Sequence, residues 1–248
     1  MTDFSYQLYS SRKFGPLEAT LEMVAKCGYK QVEAYDGLYE DLYRLEKALA
    51  SNSLSMPTGH FDLALIEKAP NRVIEIAKRL GMTTVIVPYL SPEDRPCDAN
   101  GWAKFGVRLS EAGKPILDSG LTFGWHNHDF EFNTLEGGEK PLDLILQSEN
   151  DLLLELDLAW IAVGEESPVE WVKKYANILV SVHLKDIAPK GECLSEDGWA
   201  DIGHGTMNWA ETMDAVRKTK CVYFVMEHDN PSDDVRFAQR SIAAAKKF

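Results

Sequence analysis

Residues 152–160 read LLLELDLAW, an apolar run that ends at Asp157. A short run of this kind is typical of a β-strand. Seven similar runs occur along the chain, separated by longer segments of helical pattern. The eight predicted strands are Phe4–Tyr9, Gln31–Tyr35, Ser53–Thr58, Thr84–Pro88, Thr122–His126, Leu152–Asp157, Leu179–Leu184 and Val222–Glu227. Eight strands that alternate with helices predict an α/β fold, the (β/α)8 TIM barrel.

The segments between the strands carry the helical signal. Apolar residues recur every three or four positions, for example at Val73, Ile76 and Leu80. Glycines follow three of these segments, at positions 28, 81 and 120, where a residue with positive φ commonly ends a helix. No linker or shift in composition divides the chain, so residues 1–248 are predicted to form a single domain.

A doubly wound sheet would show the same alternation of strands and helices. Such sheets usually carry a glycine-rich phosphate loop after the first strand. Here the segment after the first strand, residues 10–20, reads SSRKFGPLEAT and contains neither GxGxxG nor GxxxxGK[ST]. The closed barrel is therefore the preferred prediction.

Composition limits the classes of partner. A formal net charge of −13 disfavours nucleic acid, because binding to phosphate backbones depends on Lys and Arg. No apolar stretch is long enough to span a membrane, and the first residues lack the apolar core of a signal peptide. The four cysteines form no CxxC pair, so neither a structural zinc site nor a disulfide framework is predicted. We expect a soluble cytoplasmic protein that does not contact a membrane.

Ionisable residues collect where the later strands end, the edge on which a barrel carries its active site. The strand ends read GWHNHDFEF (124–132), LLLELDLAW (152–160), SVHLKD (181–186) and FVMEHD (224–229). One ligand per strand gives a predicted metal site of Glu131, Asp157, His183 and Glu227, and His126 or His128 is an alternative to Glu131. Oxygen and nitrogen donors without thiolate suit one divalent ion, Mn²⁺, Mg²⁺, Co²⁺ or Zn²⁺.

The alternative is that these are separate polar residues, each satisfied by its own loop. Burying several carboxylates together is costly unless a cation or protons compensate their charge. A shared metal ion accounts for all of them at once.

The motifs also resemble those of a known family. VEAYDG (32–37), IGHGTMNW (202–209) and the strand ends quoted above are together similar to the xylose isomerase-like, or sugar phosphate isomerase/epimerase, barrel superfamily. The resemblance implies a metal bound by Glu, Asp, His and Glu from the last four strands. Three of these map onto Asp157, His183 and Glu227. Many relatives have Glu-Asn-His where this chain has His126-Asn127-His128, so either Glu131 or a histidine of this triplet supplies the fifth-strand ligand.

The resemblance implies metal-dependent isomerase or epimerase chemistry on a keto-sugar. The metal would stabilise an enediolate, while Glu131 and Glu227 remove and return protons. The alternative is a dehydratase or lyase that acts on an inosose or a 3-keto-sugar by β-elimination. His126 or His128 would then protonate the leaving group, since the HNH triplet resembles the histidine-rich strand of such enzymes.

Other residues are candidates for the active site at the same end of the barrel. Lys185 would point to the same side of its strand as His183 and is a catalytic candidate that could hold an oxyanion, or else form an ion pair. Glu33 is expected to lie nearer the barrel interior, as a partner of the ligands. The candidates for substrate binding, each of which could instead be packed or satisfied locally, are His60, Trp160, Trp199 and His204.

The expected substrate is therefore a small sugar or polyol, and a homo-oligomer is possible for barrels of this kind. Two further hypotheses remain. The chain could be a non-catalytic sugar-binding barrel, or it could resemble endonuclease IV, which needs a histidine-rich metal cluster and a basic groove for DNA. Neither of those two features is visible in the sequence.

Overall fold

The computed structural model describes residues 3–147 and 152–248. Its strands are β1 (Phe4–Gln7), β2 (Gln31–Ala34), β3 (Ser55–His60), β4 (Thr84–Val87), β5 (Thr122–His126), β6 (Leu152–Asp157), β7 (Leu179–Leu184), β8 (Asp186–Ile187), β9 (Trp199–Ala200) and β10 (Tyr223–Met226). Eight of them are parallel and close into a barrel with the order β1-β10-β7-β6-β5-β4-β3-β2, and β8 and β9 form a separate antiparallel pair. The predicted TIM barrel is confirmed.

Helices follow the strands and cover the outside of the barrel. They are α1 (Leu17–Cys27), α2 (Leu42–Ser51), α3 (Leu63–Lys68), α4 (Pro70–Leu80), α5 (Ala99–Asp118), α6 (Pro141–Leu146), α7 (Leu158–Val163), α8 (Pro168–Lys174), α9 (Trp209–Val216) and α10 (Asp234–Ala245). Gly28 and Gly81 end α1 and α4 in the left-handed conformation, at φ 98° and 75°. In the described residues no helix is both long and apolar enough to cross a membrane.

Several strand bounds differ from the predictions. β1 ends at Gln7, whose side chain accepts a hydrogen bond from the backbone N–H of Tyr9 and starts a short 3₁₀ helix. β3 begins at Ser55 because Ser53 has a φ of 53°, which a strand cannot accommodate. It then continues to His60, so His60 lies on the strand and not in the following loop. β2, β4 and β10 are shorter than predicted by one or two residues.

The longest helix packs directly against the strand that carries the histidine triplet. A Cβ atom added to Gly113 of α5 would lie 2.3 Å from Cδ1 of Phe123 on β5. Only a residue without a side chain therefore allows this approach. Strand register then fixes the layers of the site, since His126 is level with Glu155 and Asp157 is level with His183.

Candidate metal centre and active site

Four side chains meet at the C-terminal rim of the barrel, and we call them the upper group: His126, Asp157, His183 and Glu227. Each offers one ligand atom, and these atoms all lie within 4.8 Å of one another. All four residues are buried, with at most 6% of any of them exposed. The strand ends of β5, β6, β7 and β10 thus converge on one point, as parallel strands in a barrel require.

A lysine lies among the carboxylates of the upper group. Nζ of Lys185 is 3.0 Å from Oδ2 of Asp157, 2.9 Å from Oε2 of Glu227 and 3.0 Å from Oδ2 of Asp229. Burial alone would lower the pKa of Lys185, but the three carboxylates outweigh it and raise the pKa well above its ordinary value. The ammonium group is therefore charged and offsets part of the negative charge of the site.

The upper group has the character of a site for a divalent ion. Its donors are two imidazoles and two carboxylates, a set that suits Zn²⁺, Co²⁺ or Mn²⁺. Oδ2 of Asp157 is buried and accepts no well-directed hydrogen bond, and its near cation is Nζ of Lys185 at 3.0 Å. Lys185 shares its single charge among three carboxylates, so a bound cation would compensate the negative charge that remains.

Below the upper group lies a second layer, which we call the lower group: His60, His126, Glu155 and His183. The ligand atoms of the lower group are also within 4.8 Å of one another, and His126 and His183 belong to both groups. Oε1 of Glu155 lies at the centre, 2.7 Å from Nε2 of His60 and 3.1 Å from Nδ1 of His126. Glu33 of β2 also reaches this layer, with its Oε1 2.7 Å from Nε2 of His183.

The charges in the lower group favour ionised carboxylates. Burial tends to raise the pKa of Glu155, but His183, His126 and His60 outweigh it, so that this pKa is lowered well below its ordinary range. Burial lowers the pKa of His60, but Glu33 and Glu155 together outweigh it and raise this pKa to about 10. His60 is therefore a charged partner of two glutamates, and its contact with substrate stays a prediction.

A cavity of about 720 Å³ opens above the upper group. Glu227, His60 and His126 lie among its lining residues, together with His128 from the end of β5 and Trp160 from α7. The rest of its lining combines aromatic, basic and acidic side chains, among them Tyr9, Arg12, Tyr35, Asp36, Tyr89, Arg95, Asp129, Asp197 and Asp229. The cavity is large enough for a small polyol, and it places that molecule against the predicted metal ligands.

His128 is a half-buried residue of this cavity. Its Nδ1 has no hydrogen-bond partner among the described residues. Burial, with added repulsion from His126 and Lys185, lowers the pKa of His128 well below its ordinary value. The imidazole is therefore neutral at neutral pH and can accept a proton.

The structure does not bring Glu131 into the upper group. Its Oε1 accepts a hydrogen bond from Nε1 of Trp125, and its Oε2 accepts one from the backbone N–H of His128. The side chain is fully buried, and burial raises its pKa to about 8. Both oxygens already accept hydrogen bonds. Of the fifth-strand candidates, His126 has its ligand atom within 4.8 Å of those of Asp157, His183 and Glu227.

The remaining predicted residues are divided between the cavity and its surroundings. Trp160 lines the cavity, and its ring centroid is 4.8 Å from that of Trp199. Trp199 is buried on β9 and packs behind Trp160, outside the set of residues that line the cavity. His204 is exposed on the loop after β9 and is also outside that set.

Sequence reasoning missed Glu155 and Asp229. Glu155 precedes Asp157 by two positions, and alternation along a strand places both side chains on the inner face. The period of two was the available signal for Glu155. Asp229 lies beyond the end of β10 and forms an ion pair with Lys185, and strand alternation gives no signal for it.

Comparisons with known proteins agree with this architecture. Residues 21–247 match the profile of the family described as xylose isomerase-like TIM barrel. An inosose dehydratase of Clostridium botulinum (strain Alaska E43 / Type E3) is 25% identical over 198 residues, which are 72% of this chain and 66% of that relative. The chain therefore spans slightly less than two thirds of this relative's length.

Solved structures show the same fold at lower identity. A sugar phosphate isomerase/epimerase from Parabacteroides distasonis superposes with a TM-score of 0.82 at 20% identity, over 98% of this chain and 94% of that one. An IolI protein with a bound zinc atom superposes with a TM-score of 0.72 at 16% identity, over 99% and 96% of the two chains.

Proposed function

The chain belongs to the xylose isomerase-like TIM barrel family, and from the geometry of its site we propose that it is a metal-dependent enzyme that removes the proton next to the carbonyl of a keto-sugar or keto-polyol. The residues that would hold one divalent ion are His126, Asp157, His183 and Glu227. When bound, such an ion polarises the substrate carbonyl and stabilises the negative charge that develops on its oxygen. The zinc atom of the IolI relative is consistent with a metal in this fold.

We further propose that the reaction ends as an elimination, which makes the protein a dehydratase or lyase. One observation carries this choice: His128 lines the cavity beside the upper group with an Nδ1 that no described residue hydrogen-bonds, while Glu131 is turned away from that group. The isomerase hypothesis used Glu131 as one of its two carboxylates. The inosose dehydratase relative gives independent support.

The chain's own residues supply the proton transfers. Neutral His128 takes the proton from the carbon next to the carbonyl, and the C–H electron pair moves into the new carbon–carbon double bond. The resulting imidazolium returns that proton to the hydroxyl on the next carbon, whose C–O bond breaks with loss of water. The product is a conjugated enone, and His128 is neutral again. Charged Lys185, held by Asp157, Glu227 and Asp229, offsets part of the negative charge of the carboxylates beside the substrate.

An epimerase or isomerase is the second candidate, and the position of Glu227 favours it. Glu227 lines the same cavity as His128, so a carboxylate and an imidazole are both available to exchange protons with one substrate. If His128 returned its proton to carbon instead of to a hydroxyl, the configuration or the carbonyl position would change without loss of water.

The two outcomes are separated by incubating the Mn²⁺-loaded protein with inososes and with 3-keto-glucosides in D₂O. Elimination gives a product with the ultraviolet absorbance of an enone, whereas epimerisation gives deuterium in recovered sugar without new absorbance. His128→Asn should lower the rate by roughly 10²- to 10⁴-fold, the usual contribution of an acid–base residue. The matched control is His204→Asn, at an exposed histidine outside the cavity. Absence of both signals, or an unchanged rate in His128→Asn, would refute the proposal.

A further inference from the structure

Glu155 is the shared hydrogen-bond acceptor below the upper group. It lies on β6 two positions before Asp157 and is fully buried. Its Oε1 is within hydrogen-bond distance of three imidazole nitrogens. These are Nε2 of His60 at 2.7 Å, Nδ1 of His126 at 3.1 Å and Nε2 of His183 at 3.1 Å. Glu155 therefore contacts both histidines of the upper group, and one carboxylate can orient the rings of two candidate ligands.

The contacts of Glu155 fix where the ring protons lie. An ionised carboxylate only accepts hydrogen bonds, so each ring nitrogen that faces it carries a hydrogen. His126 then carries its hydrogen on Nδ1, and Nε2 is the nitrogen left to bind a cation. His183 carries a hydrogen on Nε2. By the same rule its Nδ1, 2.9 Å from Oε2 of Glu227, carries one too in the metal-free chain, and this second hydrogen is the one that a metal ion in the upper group would displace.

Glu33 supports the same arrangement from the neighbouring side. Its Oε1 is 2.7 Å from Nε2 of His183 and accepts a further hydrogen bond, of 2.8 Å, from Nε2 of Gln7. Gln7 therefore orients Glu33, which accepts the directed hydrogen bond from Nε2 of His183, while Glu155 lies 3.1 Å from the same nitrogen as an ion-pair partner. Carboxylates that bind the far nitrogen of a ligand histidine orient the ring and increase the basicity of the ligating nitrogen.

We propose that Glu155 is a positioning residue that sets the tautomers of His126 and His183, so that Nε2 of the first and Nδ1 of the second are presented to a metal ion in the upper group. This inference rests on the metal site of the proposed function, and it assigns Glu155 itself no bond to the ion. The rival arrangement places the ion in the lower group with Glu155 as a ligand. It would use the opposite nitrogens, Nδ1 of His126 and Nε2 of His183.

The two arrangements are distinguished directly in the wild-type protein. Nitrogen-15 NMR of the histidine rings in the Zn²⁺-loaded chain reports which nitrogen is protonated and which binds metal. The proposal expects hydrogen on Nδ1 of His126 and on Nε2 of His183, and the opposite pattern would overturn it. This measurement needs neither substrate nor a variant, so its result is independent of the proposed reaction.

Metal titration of variants gives a second test. Glu155→Gln should still bind one ion but with roughly 10- to 100-fold weaker affinity, the usual effect of losing such a partner, and its histidine spectra should show mixed tautomers. Asp157→Asn, which changes a ligand, should lose binding altogether. The matched control is Glu131→Gln, a change at another fully buried glutamate that lies outside both groups. Loss of all binding in Glu155→Gln with binding retained in Asp157→Asn would overturn the proposal, and so would wild-type affinity and tautomers in Glu155→Gln.

Discussion

The position of Glu131 makes a quantitative prediction about stability. Burial raises the pKa of this carboxyl from its ordinary value of 4.5 to about 8, although hydrogen bonds from the backbone of His128 and from Trp125 oppose the change. Between these two values the folded chain keeps a proton that the unfolded chain releases. Because the folded state binds more protons, this group makes stability fall as the pH rises from 4.5 to about 8.

The magnitude follows from the size of the shift. Each unit of pKa difference corresponds to about 1.4 kcal/mol, so between pH 5.5 and pH 7.5 the free energy of unfolding should fall by roughly 3 kcal/mol through Glu131 alone. Glu131→Gln cannot ionise and loses this slope. The amide also places an NH₂ group against an N–H donor, which costs about 1–3 kcal/mol at every pH. The variant should therefore have a lower free energy of unfolding than wild type at pH 5.5, and this difference should shrink steadily towards pH 7.5.

Urea unfolding of the metal-free proteins at a series of pH values measures this difference. Glu136→Gln changes an exposed glutamate of the same loop and serves as the control, for which we expect no change in slope. Catalytic activity of Glu131→Gln should stay within a few-fold of wild type. Parallel stability curves for Glu131→Gln and wild type would refute the protonated state of Glu131. A loss of activity of 10²-fold or more would restore the two-carboxylate mechanism.

Two further predictions concern charge and packing. Lys185→Met removes the cation beside the carboxylates of the upper group, so the metal-free variant should lose about 3–5 kcal/mol of stability. Added Mn²⁺ should raise the Tm of this variant more than it raises the Tm of wild type. An equal rise in the two proteins would contradict the role of Lys185. Gly113→Ala should lose roughly 1–3 kcal/mol because the new Cβ would overlap the ring of Phe123. Its control is Gly15→Ala, where the nearest atom is 4.0 Å away, and equal denaturation midpoints in the two variants would contradict the packing argument.

The fold was predictable because local pattern and topology agree along the chain. All eight barrel strands lie where the alternation of apolar runs and helical segments predicts them. The errors are at the ends of strands, where a local side-chain contact or backbone angle stops the strand. Gln7 turns the chain after β1, and the positive φ of Ser53 delays the start of β3. Neither effect has a signature in hydropathy.

The site was only partly predictable from strand ends. Asp157, His183 and Glu227 meet as the rule of one ligand per strand suggests. Glu131 does not, because it lies beyond the end of β5, in a 3₁₀ turn that directs its carboxylate back to Trp125. The HNH triplet offered His126 and His128 as alternatives, and the sequence does not specify the ring orientations that bring His126, but not His128, into the upper group.

The first half of the barrel contributed more to the site than its sequence indicated. Tyr35, Tyr89 and Arg95 reach the cavity from loops whose course no periodic pattern specifies. His60 lines the cavity as well, and its Nε2 contacts Glu33 and Glu155 of other strands. Contacts across the inside of a closed barrel join residues far apart in sequence, and a single sequence carries no direct record of them.

We propose that one divalent ion binds in the upper group, between four strand ends. Anomalous diffraction from crystals of the Mn²⁺-loaded protein locates the ion. We expect one strong anomalous peak, in contact with His126, Asp157, His183 and Glu227. A single peak among His60, Glu155 and Glu33, or no peak in protein saturated with Mn²⁺, would contradict it.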